Sequence, residues 1–149
     1  KLGCISRTSE LREALASVAD LVNAAGVVVW VCDARGRLLR PGVCHGFESD
    51  AWRRLGTISS KDDNITAESF RTLAVQVASA GGDRLGAIAA PLIAPSGKDI
   101  DCSGVLAADL RDGWEARASV QSAMAIIAAQ IGTIITADPV ADTPSEAVG

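Results

Sequence analysis

The stretch Leu85-Gly-Ala-Ile-Ala-Ala-Pro-Leu-Ile-Ala94, the turn-like Pro95-Ser-Gly-Lys98 and the run Cys102-Ser-Gly-Val-Leu-Ala-Ala-Asp-Leu110 decide the fold. The first run is apolar and rich in Gly and Ala, so periodicity alone leaves strand and helix open. Pro91 lies inside it. Proline lacks the N–H that a helix interior needs, and its ring clashes with the preceding turn. The run is therefore read as a strand with an irregularity at Pro91. Pro95–Lys98 turns the chain, Cys102–Leu110 returns as the partner strand, and Asp112-Gly113 ends it. Strands joined by a tight turn pair antiparallel.

Upstream, Val27-Val-Val-Trp-Val-Cys32 is short, β-branched and aromatic, which reads as a second strand region. Alternation sends Trp30 and Cys32 to one face and Val27, Val29 and Val31 to the other. Both faces are apolar, so the strand is expected to be central and covered on both sides. Asp33-Ala-Arg-Gly36 turns the chain into a return strand, Leu38 to Cys44, where Pro41 and Gly42 indicate an edge or a bulge. Ser49 to Leu55 reads as a short helix, capped by Ser49 and stopped by Gly56. After the polar stretch Thr57–Asp63, the cap-type residues Asp62, Asp63 and Asn64 open a second short helix that runs to about Leu73. Val75–Ser79 is a weak strand, and Ala80–Asp83 a loop.

Helices are expected at both ends. Ser9 caps the first, with Glu10 and Glu13 at its positive end, Leu11, Leu15, Val18 and Val22 on one face, and Asn23-Ala-Ala-Gly26 as its stop. The last runs from about Trp114 to Ile135. Its Val120, Met124, Ile127, Ile131 and Ile134 repeat at four-three spacing, an a/d-type seam. The order predicts an α+β fold: an antiparallel sheet with the terminal helices on one face and the short helices on the other.

The 149 residues are 48% apolar and make one domain. Residues 1–8 are expected to be linker from a longer chain, 9–137 the domain, and 138–149, polar and Pro-bearing, a tail or linker. The net charge of -4 with no basic stripe argues against nucleic-acid and anionic-membrane surfaces. Aromatics are 3% (Trp30, Phe47, Trp52, Phe70 and Trp114, with no Tyr), too few for a base-stacking platform. No apolar run reaches the roughly 18 residues of a spanning helix. Cys4, Cys32, Cys44 and Cys102 are widely spaced, without a Cys-x-x-Cys. They read first as small buried hydrophobes, with a redox or metal role second. His45 is the sole histidine, and no nucleophile elbow or phosphate-binding loop accompanies it.

This order resembles a GAF domain, within the wider GAF/PAS group of sensory modules, from about Ser9 to Ile135. Val29-Trp-Val-Cys-Asp-Ala-Arg-Gly-Arg-Leu38 is similar to the first hairpin of that family. Asn64-Ile-Thr-Ala-Glu-Ser-Phe-Arg71 sits where the family places a short helix beside its ligand pocket. Ala89-Ala-Pro-Leu-Ile-Ala-Pro-Ser-Gly97 followed by Gly104-Val-Leu-Ala-Ala-Asp-Leu110 resembles its "PL…G…GVL" hairpin. The resemblance implies a regulatory role and a cavity between sheet and middle helices, holding a cyclic nucleotide, another metabolite, a tetrapyrrole, a metal centre or nothing. The cyclic-nucleotide signature, Asn-Lys…Phe-x-x-x-Asp-Glu, fails here: Ile65 follows Asn64, and Ala74-Val75 stand where the acidic pair belongs. Cys44-His45 matches the bilin-attaching dipeptide but lies on a strand rather than in the helical stretch. Free methionine sulfoxide reductase, a thiol enzyme of the same fold, carries its cysteines in the middle segment; here Gly56 to Ala80 has none.

The resulting expectation is a non-catalytic, bacterial-type sensory domain, cytoplasmic, that binds a small molecule and works as a homodimer with an output domain elsewhere in a longer chain. No nucleic acid, direct membrane contact, metal or fixed cofactor is expected. Trp30, His45, Asn64, Thr66 and Phe70 are the candidate pocket lining, chosen by position. Leu11, Leu15, Val18 and Val22 with Met124, Ile127, Ile131 and Ile134 are the candidate dimer seam, unless one chain satisfies them internally. The alternatives are a ligand-free dimerisation module and a thiol redox enzyme, which would use Cys32, Cys44 and Cys102.

Overall fold

A computed structural model describes residues 2–46, 56–96 and 99–136. The expected helix at Ser49–Leu55 lies outside the described residues, as do Gly97 and Lys98 of the expected turn and the tail from 138 on. The elements run α1 (Leu2–Val22), β1 (Ala24–Cys32), β2 (Leu38–His45), β3 (Ile58–Ser59), α2 (Ile65–Thr72), β4 (Gln76–Ala78), β5 (Gly86–Ser96), β6 (Asp99–Leu110), a 3-10 turn (Trp114–Ala116) and α3 (Ala118–Thr136). The six strands form one antiparallel sheet in the order β3-β2-β1-β6-β5-β4. The fold is the α+β arrangement expected, with the apolar hairpin β5–β6 and the valine strand β1 at its centre.

The two faces of β1 divide as the alternation requires. Val27, Val29 and Val31 join Ile88, Ala90 and Leu92 of β5 and Leu106, Ala108 and Leu110 of β6 under α1 and α3. Val28, Trp30 and Cys32 face the other way, toward Ile65 and Phe70 of α2. Leu15, Val22 and Met124 are fully buried on the first face, with Val18, Val120 and Ile131 close to it. Each such side chain contributes about 1.5–3 kcal/mol relative to exposure. The helical seams are thus largely taken up by the chain's own sheet. As dimer contacts, Leu15, Val18, Val22, Met124 and Ile131 are corrected to core positions.

Three local readings are also corrected. The α1 backbone is already helical at Leu2, where no proline stops it, so Ser9 and Glu10 lie inside the helix rather than at its cap. Asn23, not Gly26, ends α1. Its φ of 59° breaks the helix, and its Nδ2 donates to Arg111 O at 3.4 Å and to Asp112 Oδ2 at 3.3 Å. Gly26 is already in β1. The third concerns α3. Its 18 residues Ala118–Ile135 are long and apolar enough to cross a membrane by length and composition alone, because Ser119, Gln121, Ser122 and Gln130 only dilute the apolar residues. In this fold Val120, Met124, Ala128 and Ile131 of that helix are packed in the core over the sheet.

Two irregularities set the register. Val29 pairs with Val43 but Trp30 with Pro41, so Gly42 bulges out of β2. Pro91 pairs with Val105 but Ile93 with Cys102, the irregularity expected at Pro91. The sheet ends on strands of two and three residues, β3 and β4, too short to template another chain readily.

Candidate functional site

The face of the sheet under α2 is built differently from the face under the long helices. It is floored by Val28, Trp30, Ala89 and Val105, all buried, with Ala107, Cys32 and Cys44 half-buried beside them. One eight-residue helix crosses it. The helix begins at Asn64, whose Oδ1 accepts from Ala67 N at 2.8 Å. It ends at Leu73, in the left-handed conformation at φ 58°, with its N–H on Ser69 O at 2.9 Å. Arg71 fastens the entry loop by donating from one guanidinium nitrogen to Ser60 O (2.6 Å) and Asp62 O (2.9 Å).

Of the candidate lining residues, Trp30 and Phe70 come together in one apolar cluster. Thr66 is buried on α2 at 8% exposure. Asn64 is exposed, and its side chain is occupied in capping. His45 goes elsewhere. It pairs directly across from Val27, and cross-strand partners share a face, so it belongs to the long-helix side, where it is exposed. The bulge at Gly42 is the reason. Leu39 lies on the α2 face, and uninterrupted alternation would have carried His45 to that same face.

Position alone missed Ser69. It is fully buried, and its Oγ has no hydrogen-bond partner among the described residues. A hydroxyl desolvated in this way costs about 1–3 kcal/mol. Its spacing from Thr66 and to Phe70, three and one, puts it on the inward side of α2, and a small polar residue on an otherwise apolar face was the only sequence signal.

Sequence reasoning also missed Glu115, in the 3-10 turn before α3. Only 3% of it is exposed. Oε2 accepts from Ala80 N at 3.0 Å, and Oε1 has no partner among the described residues. A Cβ at Gly86 would overlap its carboxyl group, so the bare glycine at the start of β5 makes room for it. Gln121 Nε2 donates to Glu115 O at 2.9 Å. Together these bonds tie the β4–β5 loop to the start of α3.

The three described thiols are pushed up from the ordinary cysteine range. For Cys32 the causes are burial first and then the Asp33 carboxylate; for Cys44 and Cys102 the raising cause is burial. Cys32 Sγ donates to Asp33 O and Cys102 Sγ to Gly104 O, each at 3.2 Å. Protonated, hydrogen-bonded thiols are poor nucleophiles at neutral pH. Among the described residues no group of three His, Cys, Asp or Glu side chains is placed to hold a metal ion.

On the opposite side, α1 and α3 leave an open groove of ≈ 120 Å³ lined by Glu10, Leu11, Ala14, Ile127, Gln130, Ile131 and Ile134. Leu21 and Ile126 on the same helices are about 60% exposed.

No family model matches the sequence, and no curated protein is similar to it. The architecture, however, recurs in solved structures. The GAF domain of an Acinetobacter phosphoenolpyruvate-protein phosphotransferase superposes with a TM-score of 0.74 at 11% identity, covering 91% of this chain and 85% of that one. The second GAF domain of DevS from Mycobacterium smegmatis gives 0.63 at 23% identity, covering 91% and 94%. A type II free methionine-R-sulfoxide reductase from Thermoplasma acidophilum gives 0.66 at 12% identity, covering 85% and 90%. The molecule is thus a small α+β domain of a recurrent fold. More narrowly, it has the fold of a GAF domain. At these identities the likeness is one of fold, and one fold hosts both regulatory modules and an enzyme.

Proposed function

We propose that this chain is a sensory or regulatory domain rather than a catalyst, binding a small molecule on the α2 face and pairing with a second copy through α1 and α3. The observation that carries the reading is the contrast between the two sides of one sheet. The long-helix side is packed mainly with large aliphatic side chains. The α2 side pairs small floor residues with two aromatics, and it buries a hydroxyl that has no partner among the described residues. Glu115 Oε1 also lacks a partner among the described residues, but that carboxylate accepts from Ala80 N, so the wholly unpartnered Ser69 hydroxyl is what favours the α2 side. The fold supports the regulatory half of the reading, since most of its solved neighbours are GAF domains of larger proteins.

The exposed Leu21 and Ile126 and the apolar groove between α1 and α3 support the second contact. Leu11, Ile127 and Ile134 are the members of the candidate seam that flank this groove. Three thiols held protonated by burial give no support to the thiol-enzyme alternative. Native mass spectrometry of freshly purified protein tests the proposal. A dimer carrying a small mass that leaves on activation is the expected result. A dimer without an adduct, and with no response to small molecules, would favour a pure dimerisation module. A monomer that binds nothing would overturn the proposal.

A further inference from the structure

We infer that Glu115 is a latch that joins the edge strand β4 to the head of α3, so that these two parts of the chain open and close as one unit. β4 has three residues and stands at the end of the strand order. The 3-10 turn that carries Glu115 packs against β4, β5 and α3. Gly86, at the start of β5, pairs with Leu110, which belongs to the core under the long helices. Cross-strand partners share a face, so the Glu115 carboxylate, which fills the place of a Gly86 Cβ, lies on that face. From there Oε2 accepts from Ala80 N, in the loop after β4, at 3.0 Å. Gln121, in the first turn of α3, donates from Nε2 to Glu115 O at 2.9 Å and from its backbone N to Arg117 O at 3.1 Å. β4 is also bonded to α2, on the opposite face, where Gln76 Nε2 donates to Thr72 Oγ1 at 3.1 Å. The latch thus gives the α2 side a bonded route to α3 that goes round the edge of the sheet.

Closing this latch is opposed as well as favoured. Glu115 is 3% exposed, yet its Oε1 has no hydrogen-bond partner among the described residues. No cation among them bonds either oxygen, and Arg117 lies instead over the Trp114 ring, 4.0 Å from its centre. A carboxylate taken out of water with a single amide donor is under-satisfied, and opening returns it to solvent. Against that, the closed state makes one charge-assisted hydrogen bond and fills the space over Gly86. A corner built in this way, at a three-residue edge strand, opens at a lower free energy than the centre of the sheet. Coupling between two sites needs an element with two arrangements that both sites bias. The carboxylate, held over Gly86 or released to water, is that element.

The experiment is native-state hydrogen exchange of the full chain at low urea concentrations, read amide by amide by NMR. The amides of Gln76–Ala80 and of Ala116–Gln121 are compared with those of β1 and β6 as the reference. In the wild-type chain the protected amides of the first two sets are expected to share one opening equilibrium and one urea dependence, with openings about tenfold or more above the reference set in frequency. Glu115→Ala removes the charge-assisted bond and should speed exchange in both sets by about tenfold or more. Gln121→Ala touches only the α3 side. It should nonetheless speed Gln76–Ala80 by the same factor as Ala116–Gln121, about fivefold for one neutral bond. Acceleration confined to Ala116–Gln121 in Gln121→Ala, or to Gln76–Ala80 in Glu115→Ala, would overturn the inference, because the two sides would then open independently. Opening of both sets only together with β1 and β6 would overturn it too, because no separate unit would exist. If Glu115→Ala does not fold, the wild-type urea series and Gln121→Ala decide the matter. No readout here involves a ligand, so failure of the latch leaves the proposed function standing.

Discussion

Gly104→Ala is the sharpest test of the sheet. Gly104 sits in β6 opposite Val31 of β1, at the middle of the molecule. A Cβ there would overlap Trp30 O and stand 2.9 Å from Trp30 C and 3.1 Å from Val31 Cα. All three are backbone atoms, so no side chain can rotate away. The strands must part, which strains the packing by about 1–3 kcal/mol and weakens flanking ladder bonds at about 1 kcal/mol each. A loss of about 3 kcal/mol or more is expected, a large share of the total stability of such a domain. Gly36→Ala is the comparator. Gly36 has φ +71° in the β1–β2 turn and nothing within 4 Å of an added Cβ, so only the left-handed backbone penalty applies, about 1–2 kcal/mol. Equilibrium urea unfolding followed by tryptophan fluorescence measures both. Gly104→Ala should lose clearly more than Gly36→Ala, and failure of Gly104→Ala alone to fold counts the same way. Equal losses would mean that β1 and β6 do not approach as described.

Three further outcomes are expected. Burial holds the Asp109 carboxyl above its usual value of 3.8, so its folded-state contribution is present below 3.8 and lost as pH rises through the folded value; Asp109→Asn should therefore raise the urea midpoint at pH 7 and gain less near pH 3.5, and a loss at pH 7 would contradict this. The thiols of Cys32, Cys44 and Cys102, raised above 9.0, should alkylate more slowly in the native chain than in the unfolded one at pH 7 and accelerate at alkaline pH, an order that faster native labelling would reverse. Asn64→Ala removes the bond to Ala67 N and should cost about 1 kcal/mol, with protection from amide exchange lost first along α2; an unchanged exchange pattern would refute the cap.

Much of the fold was legible because it rests on short-range rules. Alternation along Val27–Cys32 gave both faces of β1 correctly, since it asks only that the segment be a strand. Pro91 excluded a helix and marked the irregular pairing with β6. Asn64 announced α2 through its capping chemistry. What failed depended on partners distant in sequence. The four-three spacing of α1 and α3 shows an apolar stripe, but it does not say whether a sheet or another helix will cover it; here Ile88, Leu92 and Leu106 do. His45 was placed on the pocket side because nothing in the sequence locates a one-residue bulge at Gly42. β3 has two residues in a polar stretch and carries no periodic signal. Ser69 and Glu115 each read as an ordinary helix residue until the packing around them showed an oxygen without a partner among the described residues.

The central claim is that the α2 face, not the α1–α3 groove, receives a small molecule. The most direct measurement is a chemical-shift map of the labelled chain against a set of small-molecule fragments. The account predicts shifts concentrated on Ile65–Thr72, Trp30, Ala89 and Ala107. Shifts confined to Leu11, Ala14, Ile127 and Ile131, or none at all, would contradict it.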